Sequence, residues 1–215
     1  MAKKNEYILA IDAGTQSIRA IVFNLQGNIV DMVKTPIEPY FSNYPGWAEQ
    51  NPEYYWKTLC QTSKKLFAKR KIKKDALRGV TLTTQRDTMI NLDKKGKPLR
   101  PAIVWLDQRR ADKSVVKLPF YIKAGLRLVN MLDAVEYFIT ESEANWIRQY
   151  QPEIWEKTYK FVFLSGFFTY RLTDDYVDST GCQVGFVPFD YKKQSWAPPS
   201  DFKWRLFPMN KDNLV

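Results

Sequence analysis

A mixed-sheet α/β domain is the fold class that this 215-residue sequence predicts. Three observations predict it. The chain opens with three short apolar segments joined by tight turns, the pattern of an antiparallel meander. A strongly marked helix start follows at Asn51-Pro52-Glu53, and more strand-like segments come after that helix. No helical segment separates the first three strands, which excludes a plain βαβαβ order.

Each element has its own signal. Tyr7 to Ile11 is a continuous apolar run, as expected for a strand buried on both faces. Asp12-Ala13-Gly14-Thr15 turns the chain, and Ile18 to Phe23 reads as the second strand. Asn24-Leu25-Gln26-Gly27 is a turn before a third strand, Ile29 to Val33. Asn51 is a helix cap, with Pro52 at the first helical position and Glu53 in the first turn. Trp56, Leu59, Cys60, Ser63, Leu66 and Phe67 then recur at helical spacing. Gly79 to Thr83 and Thr88 to Leu92 are further strands, the latter ending in the turn Asp93-Lys94-Lys95-Gly96. Ala102 to Trp105 adds a short one. From about Asp112 the pattern turns helical, with one helix over Asp133 to Tyr150 and another within Glu153 to Leu172. Pro188 to Val215 carries Pro198, Pro199 and Pro208 and no periodicity, and reads as irregular.

Composition narrows the class. The chain is 45% hydrophobic and 26% charged, which excludes a mostly disordered protein. Its length fits one large domain or two small ones. Thirty-three basic and 23 acidic residues give a net charge of +10, suited to phosphate-bearing partners. There is no histidine, so His-based triads, His metal ligands and His acid–base catalysis are excluded within this chain. Cys60 and Cys182 match no metal spacing. Lys3 and Lys4 precede too short an apolar run for a signal peptide, and Phe161 to Phe168 is far too short to span a bilayer. The expectation is a cytoplasmic protein with no membrane association.

Asp12-Ala13-Gly14-Thr15-Gln16-Ser17-Ile18-Arg19 is the sharpest chemical feature. An apolar strand delivers a carboxylate to its end, where a hard cation such as Mg²⁺ can sit. Gly14 permits a tight turn with outward N–H groups, and Thr15, Gln16 and Ser17 add side-chain donors. Arg19 offers a forked charge to phosphate. No Walker A loop and no G-x-G-x-x-G occurs. Between two strands, Gln85, Arg86 and Asp87 offer donors and an acceptor, as vicinal hydroxyls require. A surface ion pair would explain them as simply. Trp105, after an apolar strand, can pack on the C–H face of a small polyhydroxylated ligand or serve the core. Asp107 and Arg109 are ligand contacts or solvated charges. Seven cations between Lys64 and Lys74 read as the solvated face and frayed end of a helix rather than a nucleic-acid patch.

Several segments occur together in order: Asp12-x-Gly-Thr-x-Ser-x-Arg19, Trp47-x-Glu-Gln-x-Pro52, Gly79 through Gln85-Arg86-Asp87, the stretch from Asp93 through Trp105 to Arg109, and Arg171-Leu-Thr173 followed by Asp178-Ser179. From about Tyr7 to about Trp196 the chain resembles the N-terminal domain of the FGGY carbohydrate kinases, which include glycerol kinase and xylulokinase. The resemblance implies an actin-like ATPase (ribonuclease H-like) domain, with a mixed sheet and flanking helices, over residues 1–215. It implies transfer of the ATP γ-phosphate to a sugar or polyol hydroxyl with Mg²⁺. Asp12 would be the metal-associated carboxylate. Gly14, Thr15, Gln16, Ser17 and Arg19 would form the phosphate site. Gln85, Arg86, Asp87, Trp105 and Asp107 would meet the substrate. Arg86-Asp87 is closer to the Arg-Glu of glycerol kinases than to the Met-His of xylulokinases.

Departures from the family bound these expectations. Its members are roughly twice this long, and their second domain carries most of the adenosine site. Its general-base Asp lies in a segment beyond Val215, so no catalytic base is expected here, and the chain alone is expected to be inactive. Asn51 stands where the family usually has Asp, and Lys117 to Ile139 match poorly. A C-terminal domain and a sugar or polyol are therefore the expected partners. A homo-oligomer is compatible and nucleic acid is not favoured. A non-catalytic actin-like domain that binds sugar or phosphate is the alternative.

Overall fold

The computed structural model describes residues 6–215, so Lys3 and Lys4 lie outside the described residues. The chain forms two compact units, one of residues up to Phe41 with Gln50–Gln85, the other of Ser42–Glu49 with Arg86–Val215.

The first unit is built on a four-stranded sheet. Strands β1 (Tyr7–Ala13), β2 (Ser17–Asn24) and β3 (Ile29–Pro36) form the expected antiparallel meander. At the turn into β3, the Asn24 side-chain oxygen accepts the N–H groups of Gln26 and Asn28. The chain passes through β4 (Glu49–Gln50) into helix α1 (Pro52–Ala68), and the Asn51 side chain accepts the Glu53 N–H at 2.9 Å. Strand β5 (Leu77–Thr84) then pairs parallel with β1, giving the order β3-β2-β1-β5.

Burial in this unit differs from the sequence reading in two ways. Only one face of β1 is fully buried, through Leu9, Ile11 and Ala13, while Ile8 and Ala10 are half-buried. Helix α1 buries Tyr55, Thr58, Leu59, Thr62 and Leu66, so its inner face is rotated away from Trp56, Cys60 and Phe67. Thr58 and Thr62 can go inside because their hydroxyls donate to the carbonyls of Tyr54 and Thr58, one turn back.

The second unit is centred on a sheet of order β4-β7-β6-β8, with β6 (Met89–Leu92), β7 (Ala102–Ile103) and β8 (Lys160–Phe163). Strand β6 is buried along its whole length and pairs antiparallel with both neighbours. Helices α2 (Phe120–Leu128), α3 (Leu132–Glu141), α4 (Glu143–Tyr150), α5 (Pro152–Lys157) and α6 (Leu164–Thr173) follow, with β8 between α5 and α6.

The expected single helix over Asp133 to Tyr150 is therefore two. Ser142 takes an extended conformation, and its hydroxyl caps α4 by accepting the Asn145 N–H. The expected helix within Glu153 to Leu172 is likewise two helices divided by a strand. The C-terminal stretch is more ordered than its composition suggests. A ribbon of β9 (Phe189–Asp190) and β10 (Ser195–Trp196) leads to the short helix α7 (Lys203–Leu206). Phe189, Leu206, Phe207 and Met209 join Met89, Ile139, Ile147 and Phe161 in one core. Among the described residues, no helix is long and apolar enough to cross a membrane.

Candidate functional site

In the first unit the strand register brings the charged ends of the β1–β2 hairpin together. Asp12 and Arg19 are direct cross-strand partners, and their side chains form an ion pair at 2.6 Å. Both stay accessible, with side-chain exposures of 30% for Asp12 and 41% for Arg19. The loop itself is closed by its backbone, the Gly14 N–H donating to the Ser17 carbonyl at 3.1 Å. That N–H therefore points into the turn, not outward as the sequence reading placed it. Ser17 is buried at the start of β2, Thr15 is half-buried, and Gln16 is exposed at the tip, its carbonyl accepting the Ile37 N–H. The accessible polar groups of this hairpin are thus Asp12, Thr15, Gln16 and Arg19. Gln85, the last residue of this unit, donates from its side chain to the hydroxyl of buried Tyr55 at 2.8 Å. Its own side-chain oxygen is buried with no hydrogen-bond partner.

In the second unit Arg86 is exposed and Asp87 turns inward. Asp87 adopts a left-handed backbone conformation, φ 53°. One of its carboxylate oxygens, Oδ1, is buried without a hydrogen-bond partner. It faces Gly185, where an added Cβ would stand 2.5 Å from that oxygen and where φ is +139°. Only glycine lets the carboxylate oxygen come this close. Burial, reinforced by the negative charge of Glu141, pushes the Asp87 carboxyl up to about 6. Burial also raises Glu143 well above the usual carboxylate range, with Asp87 the next cause. Glu143 too has a buried oxygen, Oε2, without a partner. Asp87 and Glu143 therefore each keep one carboxylate oxygen buried without a partner, a group that can accept a hydrogen bond or, when protonated, donate one.

Trp105 sits at the corner of a turn closed by the Asp107 N–H and the Val104 carbonyl, and is half-exposed rather than a core residue. Asp107 has a different environment. Its carboxylate accepts the Ala48 N–H at 2.6 Å and both Nε and Nη2 of Arg109 at 2.7 and 2.6 Å. Arg109, expected as a ligand contact or a solvated charge, is neither. Its side chain is 2% exposed and packs against the indole rings of Trp47 and Trp146, 3.9 and 4.6 Å from their centroids. Glu49 bridges Arg109 and Arg100. Burial pulls Arg100 down to about 10, with the Glu49 charge opposing.

The buried set Glu49, Arg100, Asp107 and Arg109 thus balances two negative with two positive charges and fixes the turn that presents Trp105. Glu49, Arg100, Glu143 and Gly185 were not singled out from sequence as site residues. The one advance signal was Glu49, inside the Trp47-x-Glu-Gln segment. Among the described residues, no group of three or more Cys, Asp or Glu side chains is placed to hold a metal. Asp12 by itself could supply one ligand to a cation whose other ligands come from elsewhere.

Residues 7–199 match the FGGY family of carbohydrate kinases, N-terminal domain. The chain is 30% identical over 197 residues to a glycerol kinase of Thermococcus gammatolerans, covering 88% of this chain and 39% of that protein. It is 41% identical over 110 residues to a glycerol kinase of Parabacteroides distasonis, covering 51% of this chain and 22% of that one. Among solved structures, a xylulose kinase of Brucella ovis superimposes with a TM-score of 0.75 at 19% identity, covering 97% of this chain and 42% of the other. An ADP-bound glycerol kinase of Plasmodium falciparum superimposes at 0.71 with 23% identity, covering 98% and 42%. The fold is therefore the actin-like α/β fold of these kinases, and the chain spans about two fifths of the length of the relatives it matches.

Proposed function

The chain belongs to the FGGY family of carbohydrate kinases, and we propose that it supplies the phosphate-facing hairpin and part of the substrate site of an ATP-dependent kinase acting on a small polyol or sugar. One observation carries the substrate half of this reading. Asp87 Oδ1 is buried, lacks a hydrogen-bond donor and packs against Gly185, whose missing side chain makes room for it. Leaving such an oxygen unsatisfied costs about 1–3 kcal/mol, and a ligand hydroxyl would recover it. Trp105, held by the Asp107–Arg109 chelate, offers an apolar ring face for C–H groups.

In the hairpin, Arg19 is the group to engage transferring phosphate oxygens. Asp12 would hold a Mg²⁺ ion, which in phosphoryl transfer neutralises charge on the phosphates. An arriving phosphate would draw Arg19 from Asp12, leaving the carboxylate for the cation. Phosphoryl transfer rests on such positioning and charge stabilisation. No residue of this chain matches the family's general-base segment, so the 215-residue chain alone should not turn over.

The test uses the purified chain with Mg²⁺-ATP and a panel of glycerol, xylulose and gluconate. We expect one panel member to raise Tm in a saturable way, Asp87→Ala to abolish that shift, and ADP release to stay at background. A panel with no Tm response, or a response unchanged in Asp87→Ala, removes the substrate reading. Robust phosphorylation by the chain alone removes the missing-base reading.

A further inference from the structure

An open groove of about 500 Å³ in the second unit shares no residue with the hairpin or with the surroundings of Asp87. Three separate segments line it. Lys117 comes from the stretch before α2, Arg148 from α4 and Arg205 from α7. All its charged lining residues are cationic. Among the described residues, none of the three has an ion pair or a side-chain hydrogen bond. Nearby cations of the same unit do have acids, Arg110 with Glu141 at 2.5 Å and Lys113 with Glu136 at 2.6 Å. The rest of the lining is apolar, including Val115, Leu118 and Pro208.

Three uncompensated cations around one concavity focus positive potential there, and an anion relieves it. Guanidinium forks match phosphate oxygens in particular. A bare inorganic ion would leave the aliphatic and prolyl lining unused. The apolar surface also continues along the chain, since Pro119 lines the groove and the next two residues, Phe120 and Tyr121, are 84% and 70% exposed.

We propose that this groove binds an amphiphilic phosphate ester, its phosphoryl group on Lys117, Arg148 and Arg205 and its hydrocarbon part on the apolar lining. The proposal does not depend on the kinase reading.

Calorimetric titration of the full chain with octyl phosphate tests it. Saturable binding is expected, weakened at about 0.5 M salt. Octanol and inorganic phosphate should each bind about ten-fold more weakly, or worse. Arg148→Gln/Arg205→Gln should lose about ten-fold or more, and Arg148→Lys/Arg205→Lys, which keeps the charge but not the fork, should restore part of it. If the Gln pair fails to fold, Lys117→Gln at its exposed position gives the same readout. Absent binding, salt-insensitive binding, or equal affinity in the Gln variants overturns the proposal. Vesicles distinguish the source of the ligand. Binding to phosphatidylglycerol but not phosphatidylcholine vesicles, lost in the Gln variants, assigns a lipid headgroup. Octyl phosphate binding without vesicle binding assigns a soluble ester. Vesicle binding unaffected by the Gln variants overturns the groove as the site.

Discussion

The two acid–arginine clusters of this chain have the same chemistry and opposite environments. Asp12 and Arg19 meet across a hairpin with both side chains at least 30% exposed. Glu49, Arg100, Asp107 and Arg109 are at most 6% exposed at the side chain and sit among indole rings. Water screens the first pair, so either partner can leave for a ligand at small cost. The second set is bound to itself, because a buried charge that loses its partner has no solvent to replace it. A charged motif therefore does not declare its role by composition. Accessibility separates the groups that can meet a ligand from those that hold the ligand-facing turn in place.

The largest effect expected from this contrast is in the buried set. Glu49→Ala leaves Arg100 without its carboxylate and Arg109 with Asp107 alone. Breaking one partner from a buried network costs about 3–5 kcal/mol. That is a large share of the roughly 5–15 kcal/mol that stabilises a domain. Urea denaturation of the chain should show the midpoint falling accordingly. A loss under about 1 kcal/mol would mean the network is solvated and the contrast with the hairpin is false.

Asp87 is the intermediate case, since it is inward-facing yet unpaired. Burial holds its carboxyl at about 6 in the folded chain, above the ordinary 3.8 of an aspartate. For an acid raised in this way the folded state binds more protons than the unfolded one between those values. The contribution of Asp87 to stability is then greatest below about pH 4, falls as pH rises toward 6, and is lower by about 3 kcal/mol above that. Glu143 shifts in the same direction, so the informative quantity is the difference between two profiles. Asp87→Asn should remove its share of the slope and leave the chain up to about 3 kcal/mol more stable at about pH 8. It should also lose the polyol response. Parallel profiles for the two proteins would show that Asp87 is solvated after all.

Legibility in the sequence follows the range of the forces involved. The β1–β2–β3 meander and the start of α1 could be read because Asn24, Gly27, Asn51 and Pro52 act within a few residues of themselves. The break at Ser142 could not, because helical periodicity runs through both α3 and α4, and a serine mid-pattern does not reveal that its backbone is extended. The strand β8 inside the expected helix of Glu153 to Leu172 could not be read either, since a short buried apolar run such as Phe161 to Phe168 fits strand or helix. The same holds at the candidate site. Asp12, Arg19, Asp87 and Trp105 stood out as local motifs. Glu49, Arg100, Glu143 and Gly185 come from distant parts of the chain, and only the tertiary fold brings each to its partner. Asp107 and Arg109 were visible, but their burial was not.

The smallest expected effect is the one that closes the comparison. Arg19→Ala removes an ion pair whose members are both substantially exposed, so stability should change by no more than about 0–1 kcal/mol. Whatever remains should vanish at about 1 M salt, where the screening length is about 3 Å. The Glu49 network should keep its contribution under the same conditions, because salt does not reach it. The two variants measured side by side in low and high salt thus give four numbers and one expected pattern: a small salt-sensitive loss at Arg19 and a large salt-insensitive loss at Glu49. A salt-insensitive loss above about 2 kcal/mol at Arg19 would make the hairpin pair a structural staple like the buried set. Arg19 would then be unavailable for phosphate, and the phosphate-facing reading of the hairpin would fall with it.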